Sequence, residues 1–121
     1  MPVPTTTSRI EPGIYRAEWI DDVTLDEIFT ARDGIDALAA ADDRENFIIV
    51  IDGSNAKRIP VEPRMLIKST NTGAIGILVL NAPLIGEVVG GIFNRLAPFR
   101  CEFYRDYDAL IKRAHKLLSQ A

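Results

Sequence analysis

The stretch FIIVIDGSN, residues 47–55, decides the fold class of this chain. Its first five residues are all apolar and four of them are β-branched, which is typical of a strand buried on both faces of a parallel sheet. The polar cluster Asp52–Asn55 predicts a turn that ends this strand. A similar run, AIGILVL at residues 74–80, predicts a second buried strand. Two such strands separated by a helical pattern indicate an α/β fold with right-handed parallel crossovers.

The residues before this centre predict a hairpin and a helix. A Pro12-Gly13 pair predicts a turn between a strand at about 5–11 and a strand at about 13–20, and apolar and charged residues alternate in the second strand. Thr24 and Glu27 have the spacing of a capping box, in which the Thr hydroxyl accepts a hydrogen bond from the Glu amide. Apolar residues at helical spacing then predict a helix over about 24–41, with Gly34 inside it.

The residues after the second buried strand predict a helix, an edge strand and a closing helix. A short helix is predicted at 63–70, between the two buried strands. After the second of these strands, the sequence predicts a helix from Asn81 to about 97, an alternating strand at 100–104, and a last helix capped by Asp106. The apolar stripe of this last helix is expected to face inward: Tyr107, Leu110, Ile111, Ala114, Leu117 and Leu118. The order β-β-α-β-α-β-α-β-α predicts a mixed, mostly parallel sheet of four to five strands with four helices, in a two-layer or three-layer sandwich. We expect one domain over residues 1–121, with residues 1–4 disordered.

Composition limits the possible functions. The chain has 121 residues, of which 47% are hydrophobic, and its net charge of −3 argues against a nucleic-acid partner. One cysteine and one histidine exclude a disulfide framework and the common zinc fingers. The first eight residues do not have the pattern of a signal peptide, and the longest apolar run is far too short to span a membrane, so a cytoplasmic location is expected.

This order of elements resembles the STAS domain, the fold of the anti-sigma-factor antagonists, in its small bacterial SpoIIAA-like form. Three segments carry the resemblance: the strand and turn at Ile48–Ser54, the strand leading into a helix at Gly76–Ile85, and the strand leading into a final helix at Phe103–Leu110. The resemblance covers about residues 5–118. It implies a regulatory domain that binds a protein partner, such as a kinase-like anti-sigma factor.

In the phosphorylated antagonists the regulated hydroxyl lies at the start of the second helix, several residues after an Asp-x-Ser strand end. Here Asp52, Gly53 and Ser54 match the strand end, but the helix start at residues 59–63 carries no hydroxyl. The resemblance therefore does not extend to a phosphoserine switch. Glu62 is either a fixed negative charge at the N-terminus of that helix or an ordinary first-turn residue.

Ligands of parallel sheets bind beyond the carboxyl ends of the strands. This rule predicts a partner-binding or ligand-binding rim, although Asp and Asn in such places often only hydrogen-bond their own turn. Lys57 and Arg58 have no turn role and are the more informative members of the set. The candidate residues are Asp52, Ser54, Asn55, Lys57, Arg58 and Asn81, with Glu62 beside them.

Three further features have a structural and a functional interpretation. The helix predicted to begin at Asn81 contains three glycines, Gly86, Gly90 and Gly91. They indicate close approach of another backbone, from the same chain or from a second copy. His115 is expected on a solvated helix face, and Cys101 as a structural thiol. The acidic residues at 42–45 are expected in a solvated loop.

The sequence leaves three classes of function to compare. A non-enzymatic interaction module, which binds a protein partner or a second copy of the chain, is favoured by the resemblance. A small-molecule or lipid carrier, like the lipid-carrying relatives of that fold, is the alternative and needs a cavity of roughly 300 Å³. An enzyme is disfavoured because no nucleophile or base has a positioned partner in the sequence. No catalytic residue, cofactor or metal is predicted.

Overall fold

A computed structural model of the chain describes residues 6–58, 73–81 and 100–120. These residues contain five strands and two helices. The strands are β1 (Thr6–Glu11), β2 (Ile14–Asp22), β3 (Phe47–Arg58), β4 (Ala74–Leu80) and β5 (Arg100–Tyr104), and the helices are α1 (Leu25–Ala41) and α2 (Tyr107–Ser119). The predicted hairpin, first helix, second buried strand, edge strand and closing helix are therefore confirmed. The predicted helix at 63–70 lies outside the described residues, and so does the one at 81–97 apart from its first residue, Asn81.

The five strands form one mixed sheet in the order β1-β2-β3-β4-β5. β1 is antiparallel to β2, and the other neighbouring pairs are parallel. Gly13 makes the hairpin possible, because its φ of 95° lies in the left-handed region that side chains disfavour. These observations confirm an α/β fold with a mostly parallel mixed sheet.

Side-chain caps begin both helices. The Thr24 hydroxyl accepts a hydrogen bond from the Glu27 amide at 3.2 Å, and the Asp106 carboxylate accepts one from the Asp108 amide at 3.2 Å. Inside α1, a Cβ added to Gly34 would lie 2.8 Å from the Thr7 hydroxyl, so this glycine lets α1 approach β1 closely. Neither described helix is long and apolar enough to cross a membrane.

The core has a cluster on each face of the sheet, so the strongly apolar half of β3 is covered on both sides as its composition predicts. On one face, α1 contributes Ala31, Ile35 and Ala39 to a cluster with alternate residues of the strands. On the other face, α2 contributes Leu110, Ala114 and Leu117. Each fully buried aliphatic side chain stabilises the fold by about 1.5–3 kcal/mol. The sheet residues of the first cluster include Tyr15, Ala17, Phe47, Ile49, Ile77, Val79 and Cys101, and those of the second are Ile14, Ile48, Val50 and Leu78.

The predicted turn at Asp52–Asn55 is wrong. β3 continues through these residues to Arg58, with Asn55 paired to Ile20 of β2. The strand continues because β2 also extends, to Asp22, and accommodates the pairing by two register shifts. Asp21, at the second shift, has a φ of 53°. Hydrogen bonding to a neighbouring strand has thus overridden local turn propensity.

The prediction that Tyr107 faces inward is also wrong. Its side chain is 44% exposed, although it has the spacing of the apolar stripe. Tyr107 is the first residue of α2, and helical side chains point toward the helix N-terminus. Its ring therefore points beyond the helix start, and the buried stripe begins one turn later at Leu110.

Candidate functional site

Polar side chains of three strands meet at the carboxyl end of the parallel sheet. β3 and β4 are paired as far as Asp52 and Leu80, and beyond this pair β3 continues beside β2 alone, within the described residues. We call residues 53–58 the arm of β3. The side chains at this end form a set that we call the rim: Arg16, Glu18, Asp52, Ser54, Asn55, Lys57 and Asn81.

An ion-paired cluster forms the inner part of the rim. An Nη atom of Arg16 lies 2.6 Å from an Oδ atom of Asp52 and 3.3 Å from an Oε atom of Glu18. Burial raises the pKa of Asp52, but hydrogen bonds from Ser54 and Arg16 outweigh it, so the pKa lies below its usual range. The hydrogen bond to Asp52 in turn raises the pKa of Arg16. Both groups are therefore charged at neutral pH.

Asn81 joins the ends of three strands. Its Nδ2 donates to the Ser54 hydroxyl at 3.0 Å, and its backbone N–H donates to the Tyr104 carbonyl at 2.9 Å. Its φ of 54° is left-handed, a conformation that Asn tolerates better than most residues. Ser54 is fixed from a second side, because its amide donates to Asp52 Oδ1 at 3.0 Å.

The outer part of the rim is exposed. Asn55 Nδ2 donates to Glu18 Oε1 at 3.4 Å, and Lys57 Nζ lies 3.6 Å from Asp21 Oδ1. The side chains of Lys57 and Asp21 are 76% and 56% exposed, so this ion pair contributes at most about 1 kcal/mol. The ion pair between Lys57 and Asp21 can therefore be broken at little cost in free energy.

The structure brings together five of the predicted rim residues. It also shows which of them hydrogen-bond their own turn and which contact other strands. Asp52 does bond the backbone of Ser54, as turn chemistry predicts, whereas Asn55 and Asn81 bond side chains of other strands. Arg58 is the last residue of β3. The remaining candidates lie outside the described residues: Glu62, Gly86, Gly90 and Gly91.

A second polar cluster, at the opposite end of the sheet, was missed by sequence reasoning. The Tyr15 hydroxyl donates to Asp42 Oδ2 at 2.7 Å and accepts from the Gly13 amide at 3.2 Å. Arg9 Nε donates to the same Asp42 oxygen at 2.7 Å. We call these four residues the hairpin lock, because they join the β1–β2 turn to the end of α1.

Asp43 and Glu45 are exposed in the loop as expected, but Asp42 departs from that expectation because it belongs to the hairpin lock. Hydrogen bonds from Arg9 and Tyr15 hold the pKa of Asp42 below its usual range. Burial and the Asp42 hydrogen bond raise the pKa of Tyr15. No local signal reveals these contacts, since Asp42 is 27 residues from Tyr15 and 33 from Arg9.

Two further contacts involve α2. Arg113 donates two hydrogen bonds to Glu102 of β5, at 2.9 and 3.1 Å. His115 contacts Glu11 of β1 through Nε2. Cys101 is buried, and burial raises the pKa of its thiol to about 11, which suits a structural role.

The described residues contain no group of three or more His, Cys, Asp or Glu side chains arranged to hold a metal ion. Each buried side-chain nitrogen and oxygen in the same part of the chain has a hydrogen-bond partner. No protein-family model, curated protein or solved structure matches the chain.

Proposed function

We propose that this chain is a non-enzymatic regulatory interaction domain that binds a protein partner through the rim. The observation that carries the proposal is the arm of β3, which extends past the end of β4 and presents Ser54, Asn55 and Lys57 to solvent. These side chains offer a hydroxyl, an amide and an ammonium group, which can donate or accept hydrogen bonds at a protein interface.

Fixed geometry makes the rim suited to recognition. Cross-strand contacts hold Arg16 against Asp52, and Asn81 against Ser54, before any partner arrives. A partner then orders fewer side chains when it binds, which reduces the entropic cost of association.

The chemistry of the rim supports binding more than catalysis. A general base works best with a pKa near the operating pH. The pKa of Asp52 lies below its ordinary value, and its carboxylate already accepts from Arg16 and Ser54. Such a carboxylate is a poor proton acceptor at neutral pH.

The proposal includes the finer fold: a STAS-like sandwich with four helices, two of them at 63–70 and 81–97. The strand order and the antiparallel first strand are consistent with this arrangement. In this proposal the domain acts like the anti-sigma-factor antagonists but without their phosphoserine switch, as the sequence at residues 59–63 suggests.

Site-specific photo-crosslinking in the cell that makes the protein tests this function. A photoreactive phenylalanine replaces Asn55 in one variant and Lys57 in another, since both side chains are exposed. We expect both to form an adduct with the same protein. The matched control carries the probe at Glu45, which is exposed in the loop before β3, at the amino end of the sheet.

The second step uses the protein recovered in that adduct. Its affinity for the purified chain should fall at least tenfold with Lys57→Glu and stay unchanged with Glu45→Lys. Adducts that form equally at all three probe positions, or at Glu45 alone, contradict the assignment of the rim as the contact surface.

A further inference from the structure

The outer edge of β1 differs from a typical sheet edge. β1 is the first strand of the sheet and pairs with β2 alone among the described residues. In an antiparallel pair, alternate residues direct their N–H and C=O groups away from the neighbouring strand. The free edge of β1 therefore presents backbone donors and acceptors that another strand can bind.

Natural sheet edges are commonly protected from such pairing by charged side chains, proline or a bulge. In β1, the residues Thr6, Thr7 and Ser8 are uncharged, and Thr favours extended structure. The strand pairing shifts its register between Arg9 and Glu11, and Pro12 follows. Because an irregularity and a proline both protect an edge, the unprotected part of the edge is limited to residues 6–9.

This short edge is complementary to itself. A two-fold axis at Ser8 would pair two copies antiparallel, with Ser8 opposite Ser8 and Thr7 opposite Arg9 of the second copy. No like charges are directly opposed in this register. Arg9 is already neutralised, because its Nε donates to Asp42 within its own chain.

The side of α1 that lies over β1 leaves room for a second copy. Gly34 faces Thr7 of β1, and residues 30, 34, 37 and 41 share its side of the helix. These residues are Thr30, Gly34, Ala37 and Ala41, all of them small. Thr30, Ala37 and Ala41 are exposed. Glu27, near the start of the helix, and the partly buried Leu38 lie on this side too, so a second copy can approach the middle of the edge, beside Gly34, without meeting a charged side chain of α1.

We propose that two copies of the chain associate through antiparallel pairing of their β1 edges, with the two-fold axis at Ser8. The product is a continuous ten-stranded sheet. The contact lies beside the inner part of the rim, because Thr6 and Ser8 pair with Glu18 and Arg16 of β2. The exposed residues Ser54, Asn55 and Lys57 lie on β3, one strand further from the contact.

Sedimentation and light scattering of the 121-residue chain over a range of concentrations test the proposal. We expect a mass that rises from 13.4 kDa toward twice that value as concentration increases. Ser8→Lys and Ser8→Glu place like charges opposite each other, and each should raise the dimer Kd about fivefold or more. An equimolar mixture of the two variants should regain the wild-type Kd.

Ala109→Lys is the matched control. It adds the same charge at an exposed position on the first turns of α2, and it should leave the dimer Kd unchanged. Thermal melting of each variant, compared with wild type, confirms that the fold is kept.

Crosslinking tests the register directly. Ser8→Cys should give a covalent dimer with a short bis-maleimide, because residues opposite each other have Cβ atoms about 5 Å apart. Ala109→Cys should not, and native Cys101 is buried. A mass of one chain at every concentration overturns the proposal. A dimer that Ser8→Lys leaves intact, or equal crosslinking of both cysteine variants, also overturns it.

Discussion

Replacing Tyr15 with phenylalanine removes the hydroxyl at the centre of the hairpin lock. The ring would remain in place, since it packs edge-to-face on Phe47 with 5.7 Å between ring centroids. The lost donation to the Asp42 carboxylate is a hydrogen bond to a charged group, worth about 1.5–3 kcal/mol. The Gly13 amide, which is buried, also loses its acceptor. We therefore expect the free energy of unfolding to fall by about 2–3 kcal/mol.

Urea unfolding followed by circular dichroism measures this change. The loss corresponds to a fall in Tm of about 10 °C for a domain of this size. Tyr107→Phe is the matched control: Tyr107 is 44% exposed, so the same loss of a hydroxyl should change the unfolding free energy by less than about 0.5 kcal/mol. If Tyr15→Phe is as mild as Tyr107→Phe, the hairpin lock does not stabilise the fold.

A double-mutant cycle identifies the partner. In an Asp42→Ala background, Tyr15→Phe should cost less than it does in the wild-type chain, because the carboxylate that accepts from the hydroxyl is already gone. Equal costs in the two backgrounds would mean that the hydroxyl acts through another group, and that the contact with Asp42 contributes nothing to stability.

Four further substitutions give distinct results in the same unfolding assay. Gly73→Ala should destabilise by about 1–3 kcal/mol, because its Cβ would lie 2.5 Å from the Glu45 carbonyl oxygen. Gly34→Ala should be nearly neutral, because a movable hydroxyl is its nearest contact and Ala gains about 1 kcal/mol of helix propensity. The pKa of Asp52 is lower in the folded chain, so its ionised form stabilises the fold above about pH 4, and this stability is lost as pH falls further. The Asp52→Asn variant should therefore be less stable than wild type at pH 7 and should lose less stability on acidification. Urea midpoints of both proteins at pH 7 and pH 3 measure the difference. Leu110→Ala should cost about 2–5 kcal/mol, as a fully buried core side chain does, and a loss under 1 kcal/mol would contradict the packing of α2 on the sheet.

Sequence reasoning succeeded where one local signal decides the structure. The apolar run at 47–51 predicted a strand covered on both faces, and Ile48 and Ile49 do face opposite core clusters. The Thr24 cap and the Pro12-Gly13 turn were equally local, since each depends on residues within one turn of each other. Hydrophobic periodicity and capping chemistry therefore account for the element order.

Contacts between distant segments were not predictable in this way. The hairpin lock joins Arg9 and Tyr15 to Asp42, and the pair of Glu102 and Arg113 joins a strand to a helix. Each of these residues, taken alone, has the pattern of a surface or core position. Their pairing depends on where the backbone brings them after the sheet has formed.

The rim shows how the two kinds of information combine. The rule that ligands bind beyond the carboxyl ends of parallel strands selected Asp52, Ser54 and Asn81 from sequence, and the structure brings these three residues together. Turn propensity then predicted that the strand stops at Asp52, but the extension of β2 gives the backbone of β3 a hydrogen-bonding partner as far as Arg58. A free loop would leave these polar residues mobile, whereas a strand holds them in a fixed row. The failed turn prediction is therefore also the reason why the polar side chains of the rim are held in a fixed row.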